Sequence, residues 1–329
     1  MKKWLKIIGG ILLLLLLIAV VLRQIYLTPN YVAEPTLSGK LNQTTIESGG
    51  ETRNFHWYAP KNIKGNTLIF VLHGSTGDGE GVREQTAYEF DKLADEEGFV
   101  VVYPTGYFNH WNDCRGSADY QANTDNIDDI SFFKAIEAQL SKTLNHAFKY
   151  RFSTGHSNGG HFSFKLALEA PDWIDGIAAI SANLPIDDNL DCTKSGQFVP
   201  VLMINGTKDP VNPYDGGLVS ILGNDSRGTV LSTDETMAYW LGLDTCQLTK
   251  DKAMLSDVVT TDDSTVEKTV WQCEGQTKAV IYKMIGAGHT MPHPKSIMPK
   301  ILGTTNQDIN AATEIWSFFK QLRTGSNNM

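Results

Sequence analysis

Five short β-type runs constrain this chain more than anything else in it: TLIFVLHG (67–74), FVVVYP (99–104), YRFSTG (150–155), GIAAIS (176–181) and VPVLMING (199–206). Most have no polar face, so a sheet built from them must be covered on both sides, as parallel sheets are. Between and after them lie stretches with apolar residues at helical spacing: REQTAYEFDKLADEEG (83–98), DDISFFKAIEAQLSKTL (128–144), NGGHFSFKLALEAP (158–171) and STDETMAYWLGL (232–243). KAVIYKMIG (278–286) reads as a last strand and NAATEIWSFFKQL (310–322) as a last helix. A hairpin leads in, with ESGGETR as its turn and FHWYAP as its second strand. Strand and helix alternating in this way predict an α/β fold with one mostly parallel sheet and helices on both faces. Such sheets carry their working residues on loops at the carboxyl ends of the strands.

Ahead of this pattern stands MKKWLKIIGGILLLLLLIAVVLRQIY. Lysines 2, 3 and 6 precede an uncharged run, Ile7 to Leu22, closed by Arg23. The run has no polar face and is longer than most signal-peptide cores, and large residues follow it where a cleavage site would need small ones. We therefore expect residues 1–26 to be an uncleaved signal anchor, 27–45 a linker and 46–325 the folded domain. The lysines would stay inside and the domain would be exported; cleavage of the segment would make the protein secreted. The formal charge of −9 argues against a nucleic-acid partner bound through a basic face.

Four cysteines, Cys114, Cys192, Cys246 and Cys273, suit the same compartment. None forms a C-x-x-C pair, so a metal site is not expected. Cys246 and Cys273 flank a polar stretch that reads as an excursion, which favours pairing them and leaves Cys114 for Cys192. Four reduced thiols are the alternative.

The segment GHSNGG puts Ser157 directly after a strand and before a helix, with Gly155 and Gly159 two residues to either side. A serine nucleophile needs that setting, because strand and helix approach closely at the turn that lifts its oxygen above the sheet. Asp209 follows the strand VPVLMING, and His289 follows the last strand in a loop with Gly286 and Gly288. His293 lies near but sits between prolines and is the weaker base. The order Ser157, Asp209, His289 is that of an α/β-hydrolase triad. An oxyanion hole would take one donor from the N–H of Asn158 and one from Ser75 or Thr76, after the strand ending in His73. His73 itself reads as a prop for that loop. The aromatic loop Tyr107, Phe108, His110, Trp111 suits either stacking on a substrate ring or packing against the sheet.

The ordered set LHGSTGDG, YPTGYFNHWND, DDISF, GHSNGG, NGTKDPVNPYDGG and GAGHTMPH resembles the polyhydroxybutyrate depolymerase and feruloyl esterase group of α/β-hydrolases, the LpqC-like esterases, over residues 46 to 320. The resemblance implies Ser157, Asp209 and His289 as the triad and no cofactor. It also implies that Trp111 and Asn112 line the acyl pocket and that the Asp128–Asp129 segment is structural. His156 and Met291 depart from it, standing where the group more often has methionine and tryptophan. With the chain ending soon after IWSFFKQLRTGSNNM, the expected substrate is a soluble ester, either a hydroxyalkanoate oligomer or a feruloyl or acetyl ester of a sugar, rather than solid polyester. Two other functions fit parts of the pattern: an acyltransferase or serine peptidase using the same triad, and a non-catalytic membrane-anchored binding protein.

Overall fold

The structure, a computed structural model, describes residues 2–325. Helix α1 (Lys2–Tyr26) exposes its leucines and isoleucines from Ile7 to Ile25. Its segment Lys6–Tyr26 is long and apolar enough to cross a membrane.

The stretch read as a linker is shorter than expected. Asn30 bridges to Ile297, Glu34 forms an ion pair with Arg83, and the backbone N–H and hydroxyl of Ser38 donate to Asp95 at 2.7 and 2.6 Å. Strand β1 (Leu41–Ser48) then pairs antiparallel with β2 (Glu51–Tyr58). Polar contacts dock residues 30–38, and β1 alternates half-buried with exposed residues. Apolar periodicity could therefore reveal neither that docking nor the start of β1 at Leu41.

Strand β3 (Thr67–Leu72) is buried throughout. The predicted helix over 83–98 is instead two, α2 (Gly79–Gln85) and α3 (Glu89–Glu97), separated by Ala87 and Tyr88 at positive φ. Arg83 spans the three-residue break with a buried ion pair to Asp91 at 2.5 Å. Next come β4 (Val100–Pro104), the short α4 (Gln121–Thr124), α5 (Asp129–Leu144), β5 (Tyr150–His156) and α6 (Asn158–Glu169). These are followed by β6 (Gly176–Ile180), β7 (Val201–Gly206), the small ribbon of β8 (Gly217–Leu218) and β9 (Thr229–Val230), and α7 (Thr233–Leu241). Strands β10 (Thr249–Met254), β11 (Thr265–Cys273) and β12 (Gln276–Ile285) and helix α8 (Ala311–Gly325) complete the helices and strands of the described residues.

One ten-stranded sheet runs in the order β1-β2-β4-β3-β5-β6-β7-β12-β11-β10. The six strands from β4 to β12 are parallel, and two antiparallel strands extend each edge. The excursion between Cys246 and Cys273 is thus an edge extension, β10 and β11, closed by a Cys246–Cys273 disulfide; Cys114 is bonded to Cys192. On one face Ile69, Val71, Val101 and Phe152 pack with Phe90 of α3 and Ile315 and Phe319 of α8. On the other, Leu68, Phe70, Val100 and Val102 meet Phe132, Phe133 and Ile136 of α5 and Phe162 of α6. Alternate residues of single strands therefore feed two cores, each buried phenylalanine contributing about 2 kcal/mol.

Candidate active site

Strand β5 and helix α6 meet at Ser157, whose φ of 55° and ψ of −119° form a turn that a residue with a side chain rarely adopts. Its backbone is held on both sides. The Ser157 N–H donates to Ile180 O at 2.8 Å, and the His161 N–H donates to Ser157 O at 2.9 Å. The glycines around it are a steric requirement: a Cβ on Gly155 would lie 2.4 Å from the Gly159 carbonyl carbon, and one on Gly159 would lie 2.7 Å from His73 O.

Two further strand ends bring in Asp209 and His289. After β7, Asp209 Oδ1 accepts the N–H groups of Val211 and Asn212 at 2.8 Å each, which fixes the carboxylate. Its Oδ2 lies 2.7 Å from His289 Nδ1, with both side chains buried. The loop after β12 carrying His289 is anchored by the His289 N–H to Leu302 O at 2.7 Å. With Nδ1 engaged, Nε2 is the nitrogen free for proton transfer. The His289 ring lies 4.7 Å from that of His156, the residue before Ser157. Among the described residues the Ser157 hydroxyl has no hydrogen-bond partner; such bonds commonly tighten only when substrate binds.

The loop after β3 passes against the elbow, since a Cβ on Gly74 would sit 3.4 Å from Ser157 Cβ. The N–H groups of Ser75 and Asn158 take no partner among the described residues, whereas Thr76 gives its N–H to Asn109 O at 2.9 Å. Thr76 is therefore corrected out of the oxyanion hole, leaving Ser75 and Asn158 as the candidate donors. His73 props this loop: its Nε2 accepts the Gly106 N–H at 2.9 Å and its Nδ1 meets Gly74 O at 2.7 Å. Burial pushes the His73 imidazole down to about 4. Burial, with His289 nearby, lowers His156 well below the ordinary histidine range, and burial beside Arg115 does the same to His161. All three rings are neutral near pH 7, so they add no positive charge around His289.

Trp111 and Asn112, expected to line the acyl pocket, do not. Trp111 is fully buried, donates through Nε1 to His73 O at 3.0 Å, and stacks 5.6 Å from Phe162. Asn112 is buried as well, bonding Asn126 and Ile127 through its side chain and Asp129 through its N–H. Aromatic sequence alone does not say which way a ring faces, and here the core takes it. His293 is also occupied, accepting the Lys295 and Ser296 N–H groups through Nδ1. Asp128 caps α5 through the Ser131 N–H at 2.9 Å, and Asp129 pairs with Arg53 at 2.7 Å.

A buried network that the sequence reading missed holds Asn158 in place. Its Oδ1 accepts the Trp111 N–H at 2.8 Å, and its Nδ2 donates to Trp111 O at 3.0 Å and Asp113 Oδ2 at 2.7 Å. Asp113 also pairs with Arg115 at 2.5 Å and accepts from Tyr120 at 2.7 Å. Burial alone would raise the Asp113 carboxyl, but Arg115 outweighs it and holds it well below the usual carboxylate range. The available signal was WNDCRG, two charges of opposite sign beside an aromatic in the loop after β4.

No family model matches the chain. NocK of Nocardia uniformis subsp. tsuyamanensis, which carries the name of an esterase, is 25% identical over 288 residues, covering 84% of this chain and 82% of its own. A bifunctional acetylxylan esterase/xylanase of Neocallimastix patriciarum is 32% identical over 168 residues, 50% of this chain but 22% of its own length. Feruloyl esterase C of Emericella nidulans is 29% identical over 199 residues, 58% of this chain and 65% of that protein. All three carry the name of an esterase. Among solved structures, the acetyl xylan esterase from Aspergillus awamori superposes with a TM-score of 0.51 at 15% identity, covering 86% of this chain and 99% of that one. The fold is that of the α/β-hydrolases, with an apolar helix added at the N-terminus.

Proposed function

We propose that this chain is an extracytoplasmic serine esterase that hydrolyses soluble carboxylic esters through an acyl-enzyme. The observation that carries the reading is Ser157 on its positive-φ turn together with His289, held by Asp209 at 2.7 Å, all at the carboxyl ends of the parallel strands β5, β7 and β12. In this mechanism Ser157 Oγ attacks the ester carbonyl carbon while His289 Nε2 takes its proton. Asp209 keeps the imidazole in the required tautomer and stabilises the imidazolium. The N–H groups of Ser75 and Asn158 receive the oxyanion; losing one such donor costs about 3 kcal/mol of barrier. His289 returns the proton to the departing alcohol, and water then repeats the attack on the acyl-serine.

Relatives named as acetylxylan and feruloyl esterases support feruloyl or acetyl esters of sugars as substrates, with hydroxyalkanoate oligomers as the other soluble class. The 21-residue span Lys6–Tyr26, apolar enough to cross a membrane, and two disulfides are the marks of an exported protein, and in this reading α1 stays as a membrane anchor.

The test compares the full chain with Ser157→Ala on p-nitrophenyl acetate, methyl ferulate and hydroxybutyrate oligomers, in washed membranes and in the soluble fraction. Wild-type turnover should stay with the membranes, and the variant should lose it by about four orders of magnitude or more while keeping its fold. Turnover that survives the substitution refutes the serine mechanism, and activity released to the soluble fraction refutes the anchor.

A further inference from the structure

Beside the oxyanion loop lies a second feature that the triad does not use. A cleft of 620 Å³ opens between the β1–β2 hairpin and the loop after β4; Gln43, Glu51, Asn54, Asp78, Glu80 and Phe108 are among its lining residues. Its volume falls in the range of about 300–1,000 Å³ typical of small-molecule sites. It is coupled to the oxyanion loop directly: Asp78 lies three residues past Ser75, Thr76 donates to Asn109 O at 2.9 Å, and Asn109 Nδ2 donates to Gly77 O at 2.7 Å.

The cleft's rim carries a cost that packing does not repay. Tyr107 and His110 pair across a two-residue turn whose central residues, Phe108 and Asn109, have φ of 45° and 62°. That geometry suits Asn or Gly at its first central position, and a bulky aromatic there is strained by about 1–3 kcal/mol. Phe108 is also 61% exposed, touching Tyr107 edge-on at 4.7 Å. A strained, solvent-facing ring on a cleft's lip is a stacking platform. The lining specifies what stacks on it. Among the described residues Glu51, Asp78 and Glu80 form no ion pair, and Arg53 is already committed to Asp129. Asp78 caps α2 by accepting the Gly81 N–H at 2.7 Å, which leaves the Glu51 and Glu80 carboxylates free, and these can only accept hydrogen bonds. A polyester presents acceptors almost alone, so it does not match them, whereas a sugar ring offers several hydroxyl donors and an apolar face for Phe108.

We infer that this cleft is a saccharide-binding subsite that receives the sugar side of the ester. The inference rests on the esterase reading for its role in turnover, but not for binding itself. The experiment titrates unesterified xylotriose into the full chain, in a detergent without a sugar headgroup, by calorimetry. Wild type, Phe108→Asn and Glu51→Gln are compared, with thermal midpoints as the check on folding. Saturable binding by wild type is expected, weakened about fivefold or more in each variant through loss of stacking or of a charged acceptor. No binding to wild type, unchanged affinity in the folded variants, or displacement of the sugar by a hydroxybutyrate trimer overturns it. Wild-type hydrolysis of p-nitrophenyl acetate is measured alongside. Binding without hydrolysis leaves the subsite standing and sinks the esterase reading, and hydrolysis without binding does the reverse.

Discussion

His73 occupies a buried position next to the loop that carries Ser75, the proposed oxyanion donor, and it works as a neutral ring. Its Nε2 must keep a lone pair to accept the Gly106 N–H, and burial holds its pKa down at about 4 against the ordinary 6.5. Between those values the unfolded chain binds a proton that the folded chain refuses. Stability from this group is therefore complete above pH 6.5 and is lost as pH falls toward 4, by about 3 kcal/mol. His156 and His161 are depressed in the same direction by burial and add to the loss. Urea unfolding at pH 7 and at pH 4.5 checks this: the midpoint should fall clearly at the lower pH, and a midpoint that does not move would mean these rings are already charged in the folded protein.

At the scale of elements, the site depends on how closely the loops after β7 and β12 approach. A Cβ on Gly206 would lie 2.3 Å from Gly288 O, and one on Gly288 would lie 2.1 Å from Leu302 O; both obstacles are backbone. Gly206→Ala must push the Asp209 and His289 loops apart while leaving the sheet's core intact. Displacements of about 1 Å at reacting groups can cost around a hundredfold in rate, so kcat/KM should drop by about that factor with the far-ultraviolet dichroism unchanged. A variant with wild-type kcat/KM would show that the loops can give way. The glycines at these strand ends, the fully apolar strands and the order Ser157, Asp209, His289 could all be read directly from sequence, because burial on two faces and close approach leave few residue choices. The leading hairpin could be read as well, but the far edge could not: β10, TKDKAM, is exposed at every residue, so no alternation marks it. Nor could Trp111 and Thr76 be placed, because their roles turn on where one ring and one N–H point, which neighbours decide.

Across the whole molecule, the two disulfides differ in what they tie together. Cys114–Cys192 spans 78 residues and lies between Asp113 and Arg115, inside the network that fixes Asn158. Cys246–Cys273 spans 27 residues and closes the β10–β11 extension, where Cys273 pairs with Gln276 at the start of β12. His289 follows the other end of that strand, about 30 Å away for ten extended residues. Chain entropy alone assigns the longer link about 4 kcal/mol and the shorter about 1 kcal/mol less. Their effects on activity should separate much further. Replacing Cys114 and Cys192 with serine loosens the loop that locks Asn158, so it should lower kcat together with the urea midpoint. Replacing Cys246 and Cys273 should lower the midpoint and leave kcat within about twofold, because loosely coupled sites act nearly independently. Measuring both quantities on both double variants checks the division. Equal losses of kcat would mean that the edge extension transmits to the triad through β12, and that the sheet behaves as one rigid unit instead of a framework with a tightly tied centre.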